Sequence, residues 1–181
     1  MEGEDWLSHE EGLLAAYASG PAVLRDALAT LDCEVLDLAP QDGGWTIRQI
    51  VHHIADEDDL WKLCIQAALG RGCEGGSGVR RAAFGLQWYW DRPQDDWAKL
   101  WAYSQRVLEP SLTLFEANRQ RTVQLLRNVP DPLGRCIVVR WPSGQEQEVT
   151  VAWVVEMQTR HVAGHIDDIL KIGEATSVSG A

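Results

Sequence analysis

Five histidines occur in the chain, His9, His52, His53, His161 and His165, and three of them have the spacing to do metal chemistry. His161 and His165 are four residues apart, so on a helix both project from one face with Cβ atoms about 5–6 Å apart, close enough for two imidazoles to reach one ion. Such a pair alone more often marks a partly exposed polar face than a metal site. A third histidine changes the weighting. In the segment after Thr46, one helical stripe is Ile50, His53 or Ile54, Glu57, Leu60 or Trp61 and Cys64, whereas Arg48, His52, Asp56 and Asp59 form a polar stripe. This predicts that His53 points inward and that His52 points outward, toward Asp56. A buried imidazole must find a partner, and two helices offering three of them to one interior match the way helical bundles build metal sites. The chain has neither HExxH nor ExxH, so ligation would come mainly from histidine. Three histidines without a thiolate describe an open site, the catalytic rather than structural pattern for zinc. Zinc is the first expectation for the divalent metal, and nickel, iron or copper are compatible with the same donors.

Two carboxylates stand near these histidines in sequence. Glu57 lies four residues after His53 and could orient a histidine or act as the catalytic general base; pairing with a basic group near the helix surface is the competing reading. Asp168, three residues after His165, has a weaker version of the same case. Cys64 shares the stripe of His53, but the rise of about 1.5 Å per residue over the intervening turns puts it about 16 Å away along the axis, which excludes it as a ligand. The four cysteines (Cys33, Cys64, Cys73, Cys136) lack CxxC spacing and lie far apart, which reads as mostly reduced and incidental thiols. The nine tryptophans are expected to fill the core and seal its ends.

These side chains must be positioned by helices. Apolar residues recur at helical spacing from His9 to Leu31, with Gly20-Pro21 expected to kink or divide that helix. Pro40 to Gly44 reads as a loop, and Thr46 with Gln49 forms a capping box that starts a second helix, expected to reach about Leu69 before Gly70 and Gly72. The stretch 70–94, with six glycines, reads as a long irregular connection. A third helical region covers about Asp95 to Asn128 in two pieces, with Pro110 near the join. Between Arg135 and Thr150 a small hairpin is expected around Pro142-Ser143-Gly144. Thr150 can cap a last helix from Val151 to about Ile172, ending at Gly173, with 175–181 as a frayed tail. The expected fold is all-α: one domain over 1–174, a four-helix bundle with a small β-hairpin before the last helix.

Composition narrows the partners. Among 181 residues, 27 Asp and Glu face 16 Lys and Arg for a formal net charge of −11, which disfavours nucleic acid and anionic membrane surfaces. No apolar run approaches a membrane span, and the acidic N-terminus (Glu2, Glu4, Asp5) lacks a signal-peptide plan, so a cytoplasmic protein acting on a small-molecule substrate is expected. Exposed parts of the Trp-rich connection could support a homodimer.

The run Gly43-Gly44-Trp45-Thr46-Ile47-Arg48-Gln49-Ile50-Val51-His52-His53-Ile54-Ala55-Asp56, together with His161-Val162-Ala163-Gly164-His165-Ile166, resembles the DinB/YfiT family of metal-dependent enzymes, which includes thiol-dependent S-transferases. The region Trp90 to Leu126, with Trp97, is similar to the family's third-helix segment. The resemblance implies a metal held by His53, His161 and His165, the residues the helical faces also propose. It also implies a metal-activated low-molecular-weight thiol attacking an electrophile. Chemistry alone equally allows a metal-activated water and a hydrolase. A non-catalytic, metal-binding stress-response bundle is the rival of a different class. The chain departs from the family mainly between Gly70 and Gly85, so substrate contacts do not carry over there.

Overall fold

The structure, a computed structural model, describes residues 2–40, 43–71 and 83–179. Cys73, most of the glycine-rich connection and the last two residues lie outside the described residues. Four long helices form the bundle: α1 (Glu2–Ala29), α2 (Ile47–Arg71), α5 (Leu108–Asn128) and α6 (Val151–Ser179). Between α2 and α5 lie the short helices α3 (Gln87–Trp90) and α4 (Gln94–Leu100) and a 3₁₀ turn at Tyr103–Gln105. α2 packs against α5 and α6, and α1 packs against the same two helices from the opposite side. Sequence neighbours α1 and α2 are therefore diagonal across the bundle, as are α5 and α6.

Local chemistry explains the main boundaries. α2 starts at a reciprocal capping box, with Thr46 N–H donating to Gln49 Oε1 at 2.9 Å and Gln49 N–H donating to Thr46 Oγ1 at 3.3 Å. The turn before it places Gly43 and Gly44 at φ +83° and +115°, where a side chain would be strained. At the start of α6, Thr150 Oγ1 accepts from Trp153 N–H at 3.1 Å, as its sequence position predicts. Pro110 occupies the first turn of α5, where its missing N–H costs nothing.

Two helices run further than expected. α1 is continuous through Gly20-Pro21 and begins at Glu2; Gly20 faces Phe115 and Val162, 3.6 Å from where a Cβ would stand, so tertiary packing carries the helix across the proline. α6 does not stop at Gly173 but continues to Ser179. Gly173 sits against the end of the Leu31 side chain, which would have to shift to admit a Cβ. The residues expected to fray are thus helical as far as Ser179.

The expected hairpin is present as β2 (Cys136–Arg140) antiparallel to β3 (Glu146–Thr150), with Ile137 opposite Val149. A two-residue strand, β1 (Ala83–Phe84), adds in parallel to β2, an element too short for any alternation to reveal. Trp61 of α2 gathers Phe84, Trp90, Trp141 and Trp153 around it, and this aromatic cluster seals the bundle against the sheet. A second ladder of Trp88, Tyr89, Trp97 and Trp101 runs along α3 and α4. Cys136 is disulfide-bonded, which corrects the reading of the cysteines as reduced; separation along a sequence does not prevent proximity in the fold. Cys33 and Cys64 are free thiols. No described helix is long and apolar enough to cross a membrane.

The core has two halves. One, near the sheet, contains Leu14, Tyr17, Trp61, Ile65, Val123 and Val155; the other contains Leu24, Ile47, Ile54, Phe115, Val162 and Ile169. A polar layer separates them. In it Arg119 of α5, buried, pairs with Asp58 of α2 at 2.6 Å and donates to the carbonyls of Tyr17 on α1 at 3.0 Å and Gln158 on α6 at 3.4 Å. Its guanidinium lies 3.6 Å from the Tyr17 ring centre. One side chain thus reaches all four helices.

Candidate metal centre

His53 enters from α2, and His161 and His165 from consecutive turns of α6, in the core half beyond the polar layer. His53 Nε2 lies 3.2 Å from His161 Nε2, which lies 3.1 Å from His165 Nε2. One ring nitrogen from each residue falls within 4.8 Å of the others, and among the described residues this is the one group of three or more ligand-type side chains so gathered. His53 is buried, and His161 and His165 are half-buried. Trp45, the residue before the capping threonine, packs edge-on against His53 with ring centres 4.7 Å apart, and its indole N–H donates to Asp95 of α4. The sequence reading missed Trp45; its place just outside the helix N-terminus, where an apolar residue often staples the first turn, was the available signal.

The donor set fits a small divalent cation. Zinc-to-imidazole bonds of about 2.0–2.1 Å hold tetrahedral donors roughly 3.3 Å apart, close to the two short nitrogen separations here. Ligation through Nε2 places the proton of each ring on Nδ1. His161 Nδ1 is buried without a hydrogen-bond partner, and His165 Nδ1 has Asp168 Oδ2 at 3.7 Å. Burial, with His161 and His165 adding to it, lowers the His53 pKa to about 2. Burial, followed by His165 and Arg119, lowers that of His161 to about 4. Burial lowers His165 as well, against a raising effect of Asp168. All three rings are therefore neutral near pH 7, the form that binds metal.

His52 is not exposed. It is fully buried against α5; its Nε2–H donates to the Arg106 carbonyl at 3.2 Å, which leaves Nδ1 to accept from the Ser111 hydroxyl at 2.8 Å. Asp56, its expected partner, instead takes Arg106 at 3.1 Å. The single-face reading failed because α2 is covered on two sides, by α6 at His53 and by α5 at His52, with every residue from Ile50 to Ala55 buried. The stripe of Arg48, His52, Asp56 and Asp59 is a polar seam rather than a solvated face, with Arg48 paired to Asp37 and Asp59 to Lys62.

Glu57 is buried, and among the described residues no basic side chain pairs with it. Its Oε2 accepts from Trp61 Nε1 at 3.0 Å and its Oε1 from Gln94 Nε2 at 3.5 Å. Burial raises its pKa above the ordinary carboxylate value, against the lowering effects of hydrogen bonds from Tyr89 and Trp61. No hydrogen bond among the described residues joins it to the three histidines. Cys64 lies in the sheet-side core half, away from the site, and burial pushes its thiol up to about 12.

Three neutral imidazoles from two helices define a class: a four-helix bundle with a histidine-only candidate metal centre. Residues 16–169 match the DinB superfamily, and the chain belongs to that family. A protein of Geobacillus thermodenitrificans named "Putative metal-dependent hydrolase" is 28% identical over 165 residues, 88% of this chain and 81% of its own length. A similarly named protein of Oceanobacillus iheyensis is 29% identical over 127 residues, 69% of this chain and 60% of its own length. The solved structure of YfiT from Bacillus subtilis, described as a probable metal-dependent hydrolase with an unusual four-helix bundle topology, superposes with a TM-score of 0.73. It is 23% identical, covering 92% of this chain and 87% of that one.

Proposed function

We propose that the chain is a metal-dependent enzyme in which His53, His161 and His165 hold one divalent cation, zinc first and nickel or iron as alternatives. The observation that carries this is the convergence of three neutral imidazole nitrogens in the bundle interior. When bound, such an ion supplies Lewis acidity and lowers the pKa of a nucleophile beside it. The chain's own residues do the rest. Trp45 shields one side of His53 from water, and the Asp168 carboxylate, 3.7 Å from His165 Nδ1, favours the proton on that nitrogen electrostatically. Glu57, one turn beyond His53 and with its pKa raised by burial, is the candidate general acid or base.

Cys64, buried away from the site as an un-ionised thiol, is not the nucleophile, and one from outside the chain is proposed. Water as nucleophile makes a hydrolase, which the names of the relatives favour. A low-molecular-weight thiol attacking an electrophile makes an S-transferase, which the resemblance of the α2 and α6 segments favours. The test is elemental analysis of untagged protein, followed by assay of the zinc-loaded form with activated esters and amides, with and without added thiols. Ester cleavage without thiol supports the hydrolase; loss of thiol coupled to consumption of an alkylating electrophile supports the transferase. A folded protein that takes up no zinc, nickel or iron overturns both. Glu57→Gln is expected to retain metal and slow turnover at least tenfold; unchanged turnover removes Glu57 from the mechanism. The working substrate is expected to be a small molecule met in the cytoplasm, with no role for nucleic acid or membrane, and light scattering tests for a homodimer.

A further inference from the structure

The metal reading raises a question about the partner of His161. With Nε2 turned to the ion, its Nδ1 carries a proton, and that atom is buried with nothing to accept it. Helical side chains lean toward the N-terminus, so the His161 ring lies over the turn that contains Met157 and Gln158. Gln158 is itself buried, with 1% exposure. Among the described residues, its Oε1 has no donor, and the hydrogen bond made by its amide nitrogen goes to the Met157 thioether, a weak acceptor, at 3.6 Å. Across the polar layer, Asp58 Oδ2 also lacks a donor, while Oδ1 is held by Arg119. Arg119 binds both neighbours, since it donates to the Gln158 backbone carbonyl as well.

These deficits have matching signs. There is one unspent donor at His161, one unfilled acceptor at Gln158 Oε1, one weakly spent donor at Gln158 Nε2 and one unfilled acceptor at Asp58 Oδ2. We propose that Gln158 is a positioning residue for the metal centre: its carboxamide accepts from His161 Nδ1–H and donates to Asp58, so that the chain His161, Gln158, Asp58, Arg119 holds the imidazole toward the ion. This rests on the metal-dependent reading above and adds a supporting shell to it. A rotation of one buried amide satisfies three polar atoms that otherwise stay unpaired at a cost to the fold. The carboxylate at the far end polarises the amide and makes His161 a stronger ligand, as carboxylates behind metal-bound histidines do.

The experiment compares the full-length parent, Gln158→Met and Gln158→Glu. Methionine keeps the volume and removes both hydrogen bonds; glutamate restores an oxygen facing His161. Zinc affinity is measured by competition with a chromophoric chelator, alongside thermal unfolding of the metal-free proteins and ¹⁵N NMR of the histidine rings in the zinc-loaded forms. The expected result is a loss of zinc affinity of about 10–100-fold in Gln158→Met, with partial recovery in Gln158→Glu. The parent is also expected to show a slowly exchanging His161 Nδ1–H that the methionine variant lacks. Zinc affinity in Gln158→Met equal to that of the parent, or a His161 Nδ1–H that exchanges equally fast in both, overturns the proposal while leaving the metal site standing. A folded parent that takes up no zinc, nickel or iron overturns the metal site, and this inference with it. A variant merely loosened in its packing would lose thermal stability without the NMR change, and that pattern also counts against the proposal.

Discussion

At the scale of single residues, adjacent histidines separate ligation from packing. His53→Ala is expected to abolish stoichiometric metal uptake, since one of only three donors is gone. His52→Ala is expected to keep metal content near that of the parent yet cost about 2–4 kcal/mol of stability, because it leaves a cavity and strips partners from Ser111 and the Arg106 carbonyl. Metal-to-protein ratio and denaturant midpoint, read on both variants, check the pair; loss of metal in His52→Ala would reverse the assignment. Acid adds a second test. The three site imidazoles have lowered pKa values in the folded chain, so below about pH 6.5 the unfolded chain binds more protons. Metal-free stability due to these rings is thus present above that pH and is lost as pH falls toward the folded values, by up to about 1.4 kcal/mol per pH unit per histidine. Asp58, raised to about 6, acts with the opposite sign between about 3.8 and 6, its stabilisation fading as pH rises. Unfolding free energy against pH, measured for the parent and for His53→Ala, isolates the histidine part. A parent profile no steeper than that of the variant would show that His53 is not held neutral.

At the scale of elements, legibility followed whether the signal was local. The capping box at Thr46 and Gln49 and the cap at Thr150 were readable because both partners lie within one turn. Thr46→Ala is therefore expected to cost about 1 kcal/mol in urea unfolding while leaving metal content unchanged. A loss of metal in that variant would mean that the start of α2 sets the position of His53 more tightly than the cap alone requires. The His53, His161 and His165 grouping was readable in part for the same reason, since the four-residue interval fixes two of the rings; the third came from the inward stripe of α2, not from a local contact. His52 was misread because helical periodicity distinguishes buried from exposed only when a helix has one covered side, and α2 has two. Gly173 was misread because a glycine that permits close approach to Leu31 has the same signature as one that ends a helix. The parallel strand β1 and the disulfide at Cys136 depend on contacts between distant segments, for which no periodicity exists.

At the scale of the whole molecule, Arg119 is the tie between helices. Replacing it with methionine keeps most of the volume but leaves Asp58 buried without its cation, expected to cost about 3–5 kcal/mol. Adding Asp58→Leu to that variant is expected to recover much of the loss, since the uncompensated charge is then gone; a double variant no more stable than the single one would show that the guanidinium's links to the Tyr17 and Gln158 carbonyls matter more than its pairing. The diagonal arrangement of successive helices has a consequence for the order of events in making this protein. His53 and His161 are 108 positions apart along the chain, and they meet only because α2 and α6 are neighbours in the finished bundle. Joining them through a common ion closes a long loop, whose logarithmic entropy cost alone is roughly 4 kcal/mol for an unfolded chain. Before α2 and α6 pack together the three rings cannot converge, so any metal uptake at this site is expected to follow folding of the bundle. An ion bound there would act as a clasp on the loop, so a chelator is expected to make the metal-loaded bundle quicker to open, read as a faster unfolding rate.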